Sequence, residues 1–195
     1  MRKFGYRFLM LAGSFLYASL ASGADLACQG VVFPDSAVVD GHSLVLNGAG
    51  VRLATFLKIK VYVAALYLPS RVHEGVQAIR ADGPAELKLV FVRDVGVTDI
   101  RKAWREGFEK NAGAHVGVFQ ERLDKLNAWM TDVTKGDRMM FVRRPTVGLE
   151  LSVNDQRRGV IPGDDFAETF FSIWLGASPP NGELKAGLLG APCDS

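Results

Sequence analysis

Two side chains in the stretch Gly48 to Leu68, GAGVRLATFLKIKVYVAALYL, are of types that could do chemistry together. Arg52 stands in a run that is otherwise apolar or small. An arginine so placed must find an anion or reach water, and its planar fork matches a carboxylate with two parallel hydrogen bonds. Tyr62 offers a hydroxyl donor on a ring that can line an apolar wall. The pair could hold the head of an amphipathic acid. The structural alternative for Arg52 is an internal salt bridge, to a carboxylate such as Asp94 or Asp164; for Tyr62 it is plain packing with the hydroxyl at the surface.

The common catalytic signatures are missing. His42, His73 and His115 are scattered without carboxylate or cysteine companions at ligand spacing, which leaves no metal site in the pattern. No serine sits in a nucleophile elbow. Gly48-Ala49-Gly50 lacks the phosphate-loop pattern and reads as a turn or bulge where side chains would clash. Nothing in the sequence asks for a cofactor.

The elements around this pair follow from periodicity. From Lys58 onward the chain alternates as a strand does. Ile59, Val61, Val63, Ala65 and Tyr67 read as a face packed on a core. Lys58, Lys60, Tyr62, Ala64 and Leu66 read as a half-covered face with a polar mouth. Upstream, Val31–Phe33 and Ser43–Leu46 are predicted strands, with Asn47-Gly48 as a turn. The central stretch makes two strands joined near Ala54–Phe56. A short helix is expected over Ser70–Arg80, capped by Ser70. Strands follow at Ala85–Arg93, Asp137–Arg143 and Val147–Val153, the last turned by Asn154-Asp155.

Helical spacing runs from Thr98, with Ile100, Trp104 and Phe108 on one face. A second helix carries Phe119, Leu123, Leu126 and Met130. A third runs from Asp164 to Leu175 and ends at Gly176, and Glu183–Leu189 makes a last short one. Strands and helices cluster rather than alternate strictly. That pattern predicts an α+β domain with a largely antiparallel sheet covered by helices on one face.

Residues 1–24 read as a signal peptide: Arg2, Lys3 and Arg7, an apolar run over Phe8–Leu20, then Ser22-Gly23-Ala24. The run is short for a membrane span. Residues 25–195 are then a single domain, placed in the periplasm or outside the cell, with no membrane span of its own. Removing the leader takes away three of 23 basic residues and none of 21 acidic ones, so the net charge goes from +2 to −1. The basicity belongs to the leader and gives no argument for nucleic acid. Cys28 and Cys193 are the only cysteines. An oxidising compartment permits a disulfide between them, and two separate thiols are the alternative.

Two blocks, GAGVR with FLKIKVYVAALYL and FFSIWLGASPPNGELKAGLLG over Phe170–Gly190, resemble the chalcone isomerase-fold proteins, in particular their secreted bacterial branch. The resemblance implies an open-faced β-sandwich, a large curved sheet covered by helices. In the enzymes of the family an arginine follows the GAG-type motif, and Arg52 matches it. The threonine that helps polarise their substrate falls at Tyr62, if a two-residue gap is allowed. Their tyrosine and asparagine fall near Val97 and Trp104, and the hydroxyl residue after an Ile-Pro pair is replaced by Gly163-Asp164. The family's non-catalytic plant members bind fatty acids with an arginine and a tyrosine at the carboxylate, and Arg52 and Tyr62 are similar to that pair. The implied function is binding of a fatty acid or small amphipathic carboxylate between sheet and helices. An intramolecular lyase or isomerase acting on another substrate, with Arg52 as its catalytic residue, is one alternative. An envelope interaction protein without a small ligand, its sheet face plugged by Trp104, Phe108 and Phe170, is the other.

Overall fold

The computed structural model describes residues 24–193, and the expected leader lies outside them apart from Ala24. Seven strands form one antiparallel sheet whose spatial order is the order in the chain: β3 (Ser36–Val39), β4 (His42–Ala54), β5 (Ile59–Leu68), β6 (Ala85–Phe91), β7 (Arg138–Arg144), β8 (Gly148–Val153) and β9 (Gln156–Pro162). A small hairpin, β1 (Leu26–Cys28) with β2 (Val31–Phe33), lies outside this sheet. The helices are α1 (Gly75–Ile79), α2 (Val97–Ala112), α3 (Gln120–Ala128), α4 (Asp164–Leu175) and α5 (Gly182–Leu188), with a 3-10 segment over Gly113–Phe119.

The helices cover one face of the sheet. Leu87, Leu89 and Phe91 of β6 and Phe141 of β7 meet Trp104, Phe108, Phe166, Phe170 and Trp174, all buried. The rings meet mostly edge to face or tilted, as Phe141 and Phe170 do with centroids 4.8 Å apart, the arrangement favoured by the aromatic quadrupole. A second, smaller core lies on the opposite face, where the β1–β2 hairpin contributes Cys28 and Phe33 against Leu44, Leu46, Val63, Ala65 and Tyr67. Cys28 and Cys193 are joined there, with their Cα atoms 5.6 Å apart.

This second core corrects the reading of β5. Tyr62, Ala64 and Leu66 form the fully buried face under the helices, and Val63, Ala65 and Tyr67 are buried as well, under the hairpin. Periodicity alone could not show a layer on each side. Both faces open to solvent only at the start of β5, where Ile59 and Lys60 are exposed.

Asn47-Gly48 is not a turn. It is a β-bulge inside one long β4: Leu46 pairs with Tyr67 and Gly48 with Leu66, leaving Asn47 as the extra residue. The turn chemistry of an Asn-Gly pair is real, but here the asparagine side chain is used otherwise. Its Nδ2 donates to Leu188 O at 2.7 Å and its Oδ1 accepts from Val72 N at 2.7 Å, so a buried amide ties β4 to the C-terminal side of α5 and to the segment before α1. The bulge also switches faces. Leu44 and Leu46 point to the outer core, and after the extra residue Gly48, Gly50 and Arg52 fall on the helix face.

Other boundaries moved. The expected helix over Ser70–Arg80 shrinks to Gly75–Ile79, and Glu74 rather than Ser70 precedes it. Strands β1, β3 and β9 were not anticipated, because each is short or rich in polar residues: β9 reads QRRGVIP. The helices from Thr98 and Asp164 and the Asn154-Asp155 turn stand as expected.

Candidate functional site

The geometry of the site begins with the GAG-R spacing. An ideal Cβ on Gly48 would lie 2.1 Å from Gly187 O, and one on Gly50 would lie 2.8 Å from Leu184 O. The two glycines therefore leave the helix face of β4 bare so that the backbone of α5 can rest on it. Gly187 completes the fit from the other side, its own Cβ position being 2.4 Å from Ala49 O. Arg52 is the next residue on that face and stands beyond α5 instead of beneath it. The motif builds a backbone-to-backbone contact and then places a long cation just past its edge.

Asn181 fixes that edge. β3 pairs with β4 only through Val45, so the following part of β4 lacks a strand neighbour on one side. Asn181 supplies one: its Oδ1 accepts from Leu53 N at 3.2 Å and its Nδ2 donates to Val51 O at 3.2 Å. These two bonds bracket Arg52 and satisfy backbone groups that would otherwise need water. A similar device holds the loop before Asn181 against α2. Asn111 donates to Gly107 O at 2.8 Å and Ser178 O at 3.2 Å, and accepts from Ser178 N at 3.2 Å.

Arg52 and Tyr62 are directly opposed in the β4–β5 ladder. Side chains of opposed residues lie on the same face, close to one another. Arg52 is half-buried, and its guanidinium Nη1 donates to the neighbouring Leu53 O. Among the described residues no carboxylate pairs with it. Asp94 accepts from Lys135 N at 2.8 Å, and Asp164 accepts from Thr146 N at 2.8 and 3.0 Å, so both suggested acids are engaged elsewhere.

Tyr62 is buried, 5% exposed, and its hydroxyl is not at the surface. The oxygen accepts from Trp174 Nε1 at 2.9 Å. Accepting that bond leaves its own proton to donate. Burial pushes the phenol up to about 12, against the opposing pull of Trp174 and Arg52, so the proton stays in place at any ordinary pH. Phe91 packs edge-on against the Tyr62 ring with centroids 5.7 Å apart.

These groups line a cavity of about 470 Å³ between the ends of β4, β5 and β6, one side of α2 from Asp99 to Lys110 and the loop with Pro179 and Pro180. Its apolar lining includes Val61, Phe91, Ile100, Trp104 and Ile173. Trp104, Phe108 and Phe170 are buried under the helices as a plug would be, yet Phe108 and Phe170 do not reach the cavity and Trp104 forms part of its wall. Asp94, Asp99 and Glu106 also line the cavity, with Arg93 and Lys110, and all five are exposed. The charged rim is thus mixed in sign, and the half-buried Arg52 stands with the buried Tyr62 inside it.

Sequence reasoning named Arg52 and Tyr62 and missed the residues that hold them. Trp174 sits in the predicted helix from Asp164 with nothing in its neighbours to show a partner for its indole N–H. Asn181 follows Pro179-Pro180, a context that shows a chain break and no bridging amide. Both lie in the Phe170–Gly190 block, which packs against the GAGVR block. Among the described residues, no three His, Cys, Asp or Glu side chains gather as a metal-ligand set.

Comparison with known proteins agrees with the architecture. The crystal structure of a fatty-acid binding protein from Arabidopsis thaliana superposes with a TM-score of 0.70, over 85% of this chain and 96% of that one, at 15% sequence identity. At that identity the likeness is one of fold. No curated protein sequence matches the chain. The profile of the chalcone isomerase-like family matches residues 25–190, from the first residues of β1 to just beyond α5. With the curled antiparallel sheet, the helical cover and the GAG-R packing all within that span, the chain belongs to the chalcone isomerase-like family.

Proposed function

We propose that this protein binds a fatty acid or another small amphipathic carboxylate, without transforming it, in the cavity at the end of β4 and β5. One observation carries the reading. Among the described residues, an arginine with no protein carboxylate of its own and a tyrosine with a proton to donate stand side by side at a cavity with an apolar wall of Val61, Phe91, Ile100, Trp104 and Ile173 and a charged rim of mixed sign. The guanidinium supplies charge and a fork, the phenol supplies a third donor, and the apolar walls receive the chain. A volume of about 470 Å³ lies within the range of small-molecule pockets. The fold shared with a fatty-acid binding protein supports the same ligand class.

The positions around the cavity also favour binding over turnover. Tyr62 holds its proton firmly, so it serves as a donor and not as a base. The resemblance puts the enzymes' asparagine near Trp104, and the indole N–H found there is directed to Met130 Sδ at 3.2 Å. Stabilising a developing enolate needs several preorganised donors, and Arg52 with Tyr62 is a smaller set suited to a static carboxylate. The joined Cys28 and Cys193 support an oxidising compartment, in keeping with export to the periplasm.

Native mass spectrometry of gently purified protein is expected to find an acid bound, and titration with saturated acids of graded length should locate an optimum. A charge-assisted hydrogen bond contributes roughly 1.5–3 kcal/mol, so Arg52→Ala should weaken binding at least tenfold. Arg52→Lys should fall between, because an ammonium cannot make the paired bonds. A wild-type protein that binds no acyl carboxylate across the series refutes the reading. Chalcone turnover that disappears in Arg52→Ala would replace it with an isomerase.

A further inference from the structure

We propose that the tip of the β4–β5 hairpin is a membrane-docking element that inserts Phe56 and Leu57 into the surface of an anionic phospholipid bilayer. Phe56 is 91% exposed and Leu57 65%, adjacent to each other at a turn, with Ile59 36% exposed beside them. Every residue from Thr55 to Lys60 is exposed, so the tip presents its side chains to solvent. The turn is closed on itself: Lys58 N donates to Thr55 O at 3.2 Å and Leu57 N to Thr55 Oγ1 at 3.3 Å. The two large apolar side chains are therefore held outward, where they lose hydration only if something covers them.

The chemistry of the tip commits it to one kind of partner. Lys58 and Lys60 follow the apolar pair directly, on either side of Ile59. Lys60 Nζ donates to the neutral Gln29 Oε1, and among the described residues no carboxylate forms an ion pair with Lys58 or Lys60, although the fully exposed Glu183 in the first turn of α5 is close enough to feel the Lys58 charge. An adjacent aromatic and aliphatic pair followed at once by two ammonium groups matches a bilayer interface, where the apolar side chains enter the acyl boundary and the lysines stay at the anionic headgroups. A protein pocket would call for a recessed complement to one ring, whereas a bilayer accepts all three apolar residues at once.

The tip is continuous with the cavity. Ala54 at the end of β4, Thr55 in the turn and Val61 of β5 line the cavity. Docking by the tip brings the mouth to the lipid surface, and a sparingly soluble acid can then exchange with the bilayer without crossing water. This last step, unlike docking itself, rests on the cavity holding such an acid.

The test uses delipidated protein and extruded vesicles made of equal parts phosphatidylethanolamine and phosphatidylglycerol, against vesicles of phosphatidylcholine. Wild type and the F56S/L57S variant of the same chain are compared by co-sedimentation, so any contribution from residues outside the tip is common to both. The double variant should bind the anionic vesicles roughly tenfold or more weakly. K58A and K60A should each cost about fivefold on anionic vesicles and little on phosphatidylcholine. In F56W, brominated lipids should quench the new indole, and wild type supplies the background of the three native tryptophans. Equal partitioning of wild type and F56S/L57S, or an unquenched F56W, overturns the proposal. A dimer seen by sedimentation velocity and lost in F56S/L57S, with vesicle binding unchanged, assigns the tip to a second copy and also overturns it. Vesicle binding that depends on the tip in a protein that takes up no acid leaves docking intact and refutes the ligand instead.

Discussion

Replacing Gly48 by alanine tests the account of the GAG-R motif at its centre. The added Cβ would sit 2.1 Å from Gly187 O, 2.9 Å from Gly190 N and 3.0 Å from Leu188 O, where ordinary contact begins at 3.4 Å. The gap must open by 1.3 Å, the difference between 3.4 and 2.1 Å, and all three obstacles are backbone atoms that cannot turn aside as a flexible side chain can. Overpacking a core typically costs 1–3 kcal/mol, and rigid obstacles place this site near ~3 kcal/mol. Alanine recovers about 0.4–1 kcal/mol through the entropy of the unfolded chain, leaving a net loss of roughly 2–2.5 kcal/mol. For a domain of this size each kcal/mol lowers Tm by about 2–4 °C, so a drop of roughly 5–10 °C is expected. Gly182→Ala is the control, since it lies on the same helix with nothing within 4 Å of its Cβ position, and it should be neutral or slightly stabilising. Urea denaturation of the three proteins gives the free energies directly. A Gly48→Ala protein within about 0.5 kcal/mol of wild type, the range of inert surface changes, would refute the idea that these glycines exist to seat α5. If the idea holds, Gly48→Ala should also weaken acid binding, because moving α5 releases Asn181 from Val51 and Leu53 and with them the placement of Arg52.

The remaining outcomes follow from individual partners. Arg52→Ala should leave the stability of the unliganded protein within about 0.5 kcal/mol in urea denaturation, since its hydrogen bond goes only to its own neighbour; a collapse there would mean a structural role. Tyr62→Phe should behave differently and cost about 1–3 kcal/mol without ligand, because it strands the buried Trp174 N–H. Trp174→Phe should cost a similar amount and the double variant less than the sum, which a double-mutant cycle measures. An unfolded tyrosine ionises near pH 10, while Tyr62 in the fold is pushed up to about 12 and Tyr67 is raised as well by burial. The folded chain then keeps protons that the unfolded chain has lost. Their contribution is fully present below pH about 10 and disappears as the pH climbs towards 12, so phenolate absorbance from these two residues should rise together with the loss of circular dichroism. Cys28→Ser with Cys193→Ser should destabilise by about 2–5 kcal/mol, read by the same denaturation, because the bridge closes a sequence separation of 165 residues.

What could be read in the sequence divides along physical lines. Period-two and period-3.6 patterns report apolar residues gathered on one face, and they located β6 through Leu87, Leu89 and Phe91, β8 through Leu149, Leu151 and Val153, and α2 through Ile100, Trp104 and Phe108. They failed on β5, where layers on both sides bury both faces, and on β9, where three polar residues begin the strand. The Asn47-Gly48 pair carries a genuine turn preference, and a buried amide with two backbone partners overrode it. At the site, Arg52 was legible as a charge out of place among apolar neighbours. Asn181 and Trp174 were not, since a hydrogen bond across 112 or 128 positions leaves no trace in local composition.

The helix α5 follows every strand in the chain, yet it covers β4, the second strand of the large sheet. The sheet itself can grow hairpin by hairpin as the chain leaves the ribosome or translocon, since each strand pairs with the one just made. Throughout that growth the glycine face of β4 lies bare and the edge beyond Val45 lacks the Asn181 side chain that later occupies it. An uncovered strand edge invites pairing with another chain. Synthesis of this protein therefore carries a waiting period, with an adhesive edge made early and its guard made late. The interval is a natural point for a chaperone to act, and a nonsense mutation before Asn181 would make it permanent.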